Sequence, residues 1–222
     1  MKGNARVKVG RLLGQVLLGA LLAAPAGAWA AEPEVLLAGL RAAYEDTADL
    51  TARFVQTARL VAAGMEREAQ GRVAFKKQGK MRWSYDGDDP QEIVSDGETL
   101  WIHQVRDRTV LRQELAALPE SSRLALDLLT GFQGVERSFE LGSCGELCLA
   151  LTPREARPDL SRVLVEVAAD ASEVRAVTTE DPLGNRTRVA FSELRRNTGL
   201  DDSLFEFRAP EGAQVLDMPG GP

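Results

Sequence analysis

One histidine, two cysteines and two tyrosines among 222 residues leave few side chains for chemistry. No Gly-x-Ser-x-Gly elbow surrounds any serine, so the strand-to-helix nucleophile of the common hydrolases is missing. His103 stands alone, and a zinc site would need ligands beyond it and the cysteines. Gln78-Gly79-Lys80-Met81 resembles the end of a phosphate loop, but Met81 replaces the required hydroxyl and Ala74 the earlier glycine. Asp86, Asp88 and Asp89 lack the other ligands of a calcium loop and read as a turn with Gly87 and Pro90. No motif singles out an acidic pair of the glycosidase kind. The expectation is a protein without a catalytic centre, metal or cofactor.

Basic charge is also scarce. Lysine and arginine number 27 against 33 acidic residues, and Lys2, Arg6, Lys8 and Arg11 stand ahead of the first acid, Glu32. Leu12 to Ala24 forms an apolar run, and Ala28-Trp29-Ala30 is a small-x-small site. This is the grammar of a secretory leader covering residues 1–30, cut after Ala30, with Ala26 as an earlier alternative. Ala31 follows the cut, where a lipid-anchored protein needs cysteine, and no later run is long enough for a membrane span. A diffusible periplasmic protein of 192 residues is expected, with 31–222 as a single domain. Losing four basic residues takes the net charge from −6 to −10. Such a chain is a poor partner for nucleic acid or for anionic lipid.

Cys144 and Cys148 sit between two strand-like runs with three residues separating them. In an oxidising compartment a hairpin disulfide is the natural reading, worth roughly 2 kcal/mol by loop entropy. A redox-active pair usually has two intervening residues, and metal binding lacks partners.

Glu32–Thr47 has helical spacing, with Leu36, Leu40 and Tyr44 on one stripe and Leu37 beside them. From Leu50 the period becomes two. Gly71, Val73 and Phe75 share one face, as do Met81, Trp83 and Tyr85. Strands are further expected at 92–95, 99–103, 109–114, 135–141, 147–152, 162–167, 174–179 and 186–193, and over Phe205–Phe207. Pro119–Leu129 returns to helical spacing, with Leu124, Leu128 and Leu129 apolar. About ten or eleven strands in an antiparallel sheet or barrel, with helices packed on it, define an α+β, mainly β, fold. Phe54, Phe75, Met81, Trp83 and Trp101 either fill its core or line a ligand cavity.

Several segments resemble the LolA family, periplasmic carriers of outer-membrane lipoproteins. They are Phe54-Val55-Gln56, Gly71-x-Val73-x-Phe75-Lys76, Met81-Arg82-Trp83-x-Tyr85 and Ile93-Val94-Ser95-Asp96-Gly97-x-Thr99-Leu100-Trp101. Leu151-Thr152-Pro153, Asp181-x-x-Gly184-Asn185-x-Thr187 and Phe205-x-Phe207-x-x-Pro210-x-Gly212 follow in order. The resemblance implies an unclosed antiparallel β-barrel of about eleven strands with a helical lid over its concave face. It makes Phe54, Phe75, Met81, Trp83, Ile93 and Trp101 candidates for an acyl-chain cavity, with Leu100 and Ile102 the alternative inward pair to Trp101. Leu36, Leu40, Leu128 and Lys77 become lid candidates. Implied partners are acylated lipoproteins, an inner-membrane ABC-type exporter and an outer-membrane acceptor, for a monomeric carrier. A lipid or lipoprotein sensor, or another hydrophobic-ligand binder of the same fold, is the alternative. The family typically has Lys-Arg-Pro where this chain has Lys76-Lys77-Gln78. The arginine is thought to close the lid by hydrogen bonds to helix-borne groups, and Lys77 lacks its planar fork.

Overall fold

The computed structural model describes residues 32–118, 131–132 and 134–218. The expected leader, the expected helix at Pro119–Leu129 with Leu128, and residues 219–222 lie outside the described residues. The chain opens with α1 (Pro33–Glu45), whose proline at the start needs no hydrogen-bond partner for a missing N–H. Six strands follow: β1 (Asp49–Leu60), β2 (Met65–Lys76), β3 (Lys80–Asp86), β4 (Gln91–Asp96), β5 (Thr99–Gln104) and β6 (Thr109–Glu114). A single turn of helix, α2 (Val135–Ser138), leads into β7 (Phe139–Gly145). The remaining strands are β8 (Cys148–Pro153), β9 (Arg162–Val167), β10 (Val174–Glu180), β11 (Arg186–Arg196) and β12 (Gln214–Asp217).

All twelve belong to one sheet in the order β12-β6-β5-β4-β3-β2-β1-β11-β10-β9-β8-β7. β12 and β7 are its two edges and do not pair, so the sheet curls without closing. Every neighbouring pair is antiparallel except β12 with β6. The expected architecture holds, with one strand more and one parallel pair.

Two segments differ from expectation. Residues 135–138 are helical because Gly134, at φ 72°, starts a turn that local alternation does not register. Phe205–Phe207 forms no strand. Asp202–Phe205 is a short 3-10 turn with Asp201 as its cap, and the last strand comes later, at Gln214–Asp217. An added edge strand has only main-chain pairing to define it. All four residues of β12 are exposed, so no apolar period marks it.

The alternation found in the sequence sorts the sheet into two faces. Leu50, Ala52 and Phe54 stand opposite Phe75, Val73 and Gly71 on β2, and these in turn oppose Met81, Trp83 and Tyr85 on β3. That set joins Val163, Val165, Leu149 and Leu151 from the other half of the sheet in one apolar core on the concave side. Gly71 is required there. A Cβ would lie 2.0 Å from the Ser84 carbonyl oxygen and 2.9 Å from the Phe54 ring, which fills the space instead.

The convex side of β2–β5 is covered by the segment after β11. Phe205 is fully buried there, with Val94 and Val110 also sealed from solvent. Arg82 donates to the Leu204 and Glu206 carbonyls at 2.8 and 3.4 Å. Lys76 and Lys80 both donate to Asp202, at 2.5 and 2.8 Å, and these bonds hold its carboxyl at about 2. Where this segment leaves β11, the buried Asp49 carboxylate accepts from Thr198 N at 2.7 Å, Thr198 Oγ1 at 2.8 Å, Gly199 N at 3.0 Å and Leu200 N at 3.2 Å. Burial alone would raise the Asp49 carboxyl, but those four bonds outweigh it and hold it below the usual carboxylate range.

A depressed folded value means stability that is complete above the unfolded carboxyl value, about 3.9, and lost as pH falls through the folded one. Asp49→Asn should therefore cost about 2 kcal/mol at pH 7, from weakened charge-assisted bonds. Urea unfolding from pH 7 to pH 2 should show wild type and variant converging only in the acid range. A constant gap across that range would overturn the assignment.

Candidate lipid-binding face and its helical cover

Helix α1 lies on the concave side because its apolar stripe has nowhere else to go. Leu36, Leu37, Leu40 and Tyr44 are 2, 2, 0 and 5% exposed and join the core cluster of the sheet. The helix packs against β7 and β8. Its fit is close at Gly39, where a Cβ would come within 2.8 Å of the Ala171 Cβ.

Polar contacts fix both its middle and its end. In the middle, Arg41 donates to the Phe132 carbonyl at 3.1 and 2.9 Å and forks onto the Glu136 carboxylate. The Arg41 hydrogen bond holds Glu136 below its ordinary value, against the effect of burial. The Tyr44 ring meets the edge of Phe132 at 5.9 Å. At the far end α1 has no basic residue in its own last turn. The cations come from the sheet instead. Lys77 Nζ donates to the Glu45 carbonyl at 2.8 Å, and Arg196 donates to the Ala43 carbonyl at 3.2 Å while lying 5.6 Å over the Tyr44 ring. Positive charge at a helix C-terminus meets the partial negative charge of its free carbonyls. Asn197 completes the clasp, accepting from Ala48 N at 2.7 Å and donating to the Asp46 carbonyl at 3.1 Å.

The sequence-derived positions divide clearly. Phe54, Phe75 and Met81 are deep in the concave core, at 1, 3 and 6% exposure. Trp83 and Ile93 are half-buried on the same face and opposite each other across β3 and β4. Leu36 and Leu40 are on the inner side of α1, and Lys77 touches the helix end. Trp101 is corrected. It pairs with Val94 on the convex side and stacks on Phe207 at 6.0 Å, while Leu100 and Ile102 belong to the concave cluster. The physical reason is register. Trp101 opposes Val94 and Ile102 opposes Ile93, and Ile93 shares the face of Trp83. Cys144 and Cys148 are bonded to each other across the β7–β8 turn.

Around Trp83 the concave face is aromatic and only partly covered. The Phe54 ring centre is 4.9 Å from Trp83 and 4.9 Å from Tyr85, and Phe75 and Phe191 lie 5.6 and 6.3 Å from Trp83. Tyr85 donates to Gln56 Oε1 at 3.0 Å, and burial pushes its phenol upward. Val177 and Val189 continue the half-buried apolar surface onto β10 and β11. Tyr85 and Ile102 were visible in the alternation of their strands. Phe191 and Val189 were not, because only the long-range β1–β11 register puts Phe191 opposite Phe54. A face of this kind offers apolar contact and ring edges.

Residues 45–208 match the model of the outer membrane lipoprotein carrier protein LolA. The chain belongs to the LolA family. An outer-membrane lipoprotein carrier protein of Alkalilimnicola ehrlichii is 35% identical over 193 residues, covering 86% of this chain and 88% of the relative. One from Chromobacterium violaceum is 34% identical over 209 residues, covering 92% and 96%. A crystal structure of an uncharacterized conserved protein from Thermus thermophilus shares the fold at TM-score 0.52 and 13% identity, covering 83% of this chain and 98% of that one. In this LolA-family chain a lysine, rather than an arginine, carries the contact from the β2–β3 turn to α1.

Lys77→Met should remove that contact and loosen the end of the helix. Hydrogen exchange at Ala42–Glu45 should speed up about 3- to 10-fold, while global stability falls by less than about 1 kcal/mol. Unchanged exchange in that turn would deny Lys77 a part in holding α1.

Proposed function

We propose that this protein carries acylated lipoproteins through the periplasm to the outer membrane, holding their acyl chains against the concave face. Loading would come from an inner-membrane ABC-type exporter and delivery would go to an outer-membrane acceptor. The carrying observation is the half-buried aromatic surface around Trp83, beside a helix whose apolar stripe is pinned by contacts at a few points.

Magnitudes favour an exchange between helix and cargo. Three buried leucines and a tyrosine on α1 represent about 8 kcal/mol of apolar burial, at roughly 2 kcal/mol each. About ten acyl methylenes at about 0.8 kcal/mol each supply the same amount. The stripe of α1 and an acyl chain are thus near-equal occupants of one surface. Displacing the helix by cargo then costs mainly the polar contacts of Arg41, Lys77 and Arg196. Phe54, Phe75, Met81, Trp83 and Ile93 serve as the wall, and Leu36 and Leu40 as the cover that lifts. Escape of the cargo into water would forfeit the whole burial. Transfer therefore runs from one apolar site to a tighter one, with the energy input upstream.

The test uses a synthetic triacylated lipopeptide with the purified protein. Saturable binding should blue-shift the tryptophan emission, and Trp83→Asp should weaken it at least 30-fold with the fold retained by circular dichroism. The protein should also release lipoprotein from spheroplasts. Failure to bind the lipopeptide together with no release would overturn the reading.

A further inference from the structure

The convex face carries a feature that acyl binding does not use. Four arginines, one from each of four adjacent strands, converge on a groove of about 350 Å³: Arg195 on β11, Arg53 on β1, Arg72 on β2 and Arg82 on β3. Arg53 and Arg72 are directly opposite in the β1–β2 register. Like charges at that spacing destabilise a sheet. Another like pair on the sheet, Arg59 opposite Arg186, is relieved because Glu180 holds Arg186 at 2.8 Å. Arg53, Arg72 and Arg195 have no ion pair among the described residues. The net charge of the chain without its leader is −10, so there is no shortage of acids to supply one.

The β11 side of the groove is shaped by a bulge. Thr51 opposes Arg195 but Arg53 opposes Ser192, so two residues, Glu193 and Leu194, face Ala52. Glu193 adopts φ 52°, in the left-handed region that a non-glycine residue rarely takes. Bulges re-aim side chains, and this one brings Arg195 into the groove while adding a single carboxylate, Glu193, to its lining. At the other end Arg82 is already engaged by Glu92 at 3.2 Å and by the Leu204 carbonyl. Leu204 thereby closes one wall, and Thr51 and Ser84 add hydroxyl-bearing side chains to the lining.

We infer that this groove is a docking site for an extended acidic segment of a protein partner, bound by Arg53, Arg72 and Arg195. Arg53 and Arg72 are side by side, about 4.8 Å apart, and Arg195 lies two strands from Arg72 and two residues along the register, so the three span about 12 Å. That span is too long for one phosphate and matches roughly four residues of extended chain, with two or three carboxylates reaching the guanidiniums. A flat anionic membrane is disfavoured because it would face the net negative charge of the whole chain as well as the groove. The site lies on the side of the sheet opposite α1, so an occupant leaves the concave face free. This inference does not rest on the lipid-binding reading.

The probe is a fluorescein-labelled hexaglutamate peptide, followed by anisotropy at 20 and 150 mM salt. Wild type should bind, more weakly at the higher salt, and Arg53→Glu with Arg72→Glu should lower the affinity at least 10-fold. Arg53→Glu alone should also weaken binding while raising Tm, since it sets opposite charges across β1 and β2. Arg59→Glu, the same charge change outside the groove, should leave the affinity within 2-fold. Equal losses for Arg53→Glu and Arg59→Glu would reduce the effect to net charge and overturn the site. Binding of inorganic phosphate or of phosphatidylglycerol vesicles without binding of the peptide would overturn the acidic-segment assignment. Lipopeptide loading is expected to be unchanged in the double variant, so this site and the concave face fail or stand separately.

Discussion

An unclosed sheet must cover its concave face, and most of this structure follows from that constraint. Twelve curled strands present Leu50, Phe54, Val73, Phe75, Leu149, Val163 and Val165 toward one another, yet the edges β7 and β12 do not meet. Helix α1 buries four apolar side chains there. The burial is non-directional, whereas the contacts that place the helix are specific: Arg41 in its middle, Lys77 and Arg196 at its end. Hydrophobic area supplies the holding energy and a few hydrogen bonds supply the position.

The other face obeys the opposite logic. Its strands carry charge, and the segment after β11 is tied across them by directional bonds, with Phe205 as a plug. Asp49 links the two sides, since it begins β1 directly after the clasped end of α1 and binds the backbone of 198–200. Lys76 and Lys77 continue this link. One donates outward to Asp202 and the next donates to α1, as alternation along a strand end requires. Adjacent lysines therefore serve opposite faces. Local sequence carries no sign of this division, because it does not record what lies above or below a strand end.

Legibility in the sequence follows the range of the interaction. The helix stripe Leu36-Leu40-Tyr44 and the faces of β1 to β3 were written in period alone, because period fixes which side chains share a side. Trp101 shows the limit. Alternation says that Trp101 and Ile102 are on opposite faces, but the choice between them needs the register to β4. Phe191, Asn197 and Arg196 depend on β11 returning beside β1 from well over a hundred residues away, and nothing nearby foretells it. The strand at 214–217 was invisible because an exposed edge is defined by main-chain bonds.

The replacement of the expected arginine by Lys77 acquires a physical meaning from these contacts. A guanidinium could fork onto two helix carbonyls, whereas the ammonium reaches one, that of Glu45. Arg196 supplies the missing fork from β11, one arm on Ala43 and the other on the Ser172 carbonyl at 2.7 Å. The positive charge at the helix end is thus divided between the β2–β3 turn and β11, on opposite sides of β1. The end of α1 is therefore tied to both the β2–β3 turn and β11, while Arg41 holds the helix to the segment before β7. The helix is thus held at separate points along its length, each by a hydrogen bond from a different part of the chain, so losing one contact leaves the others in place.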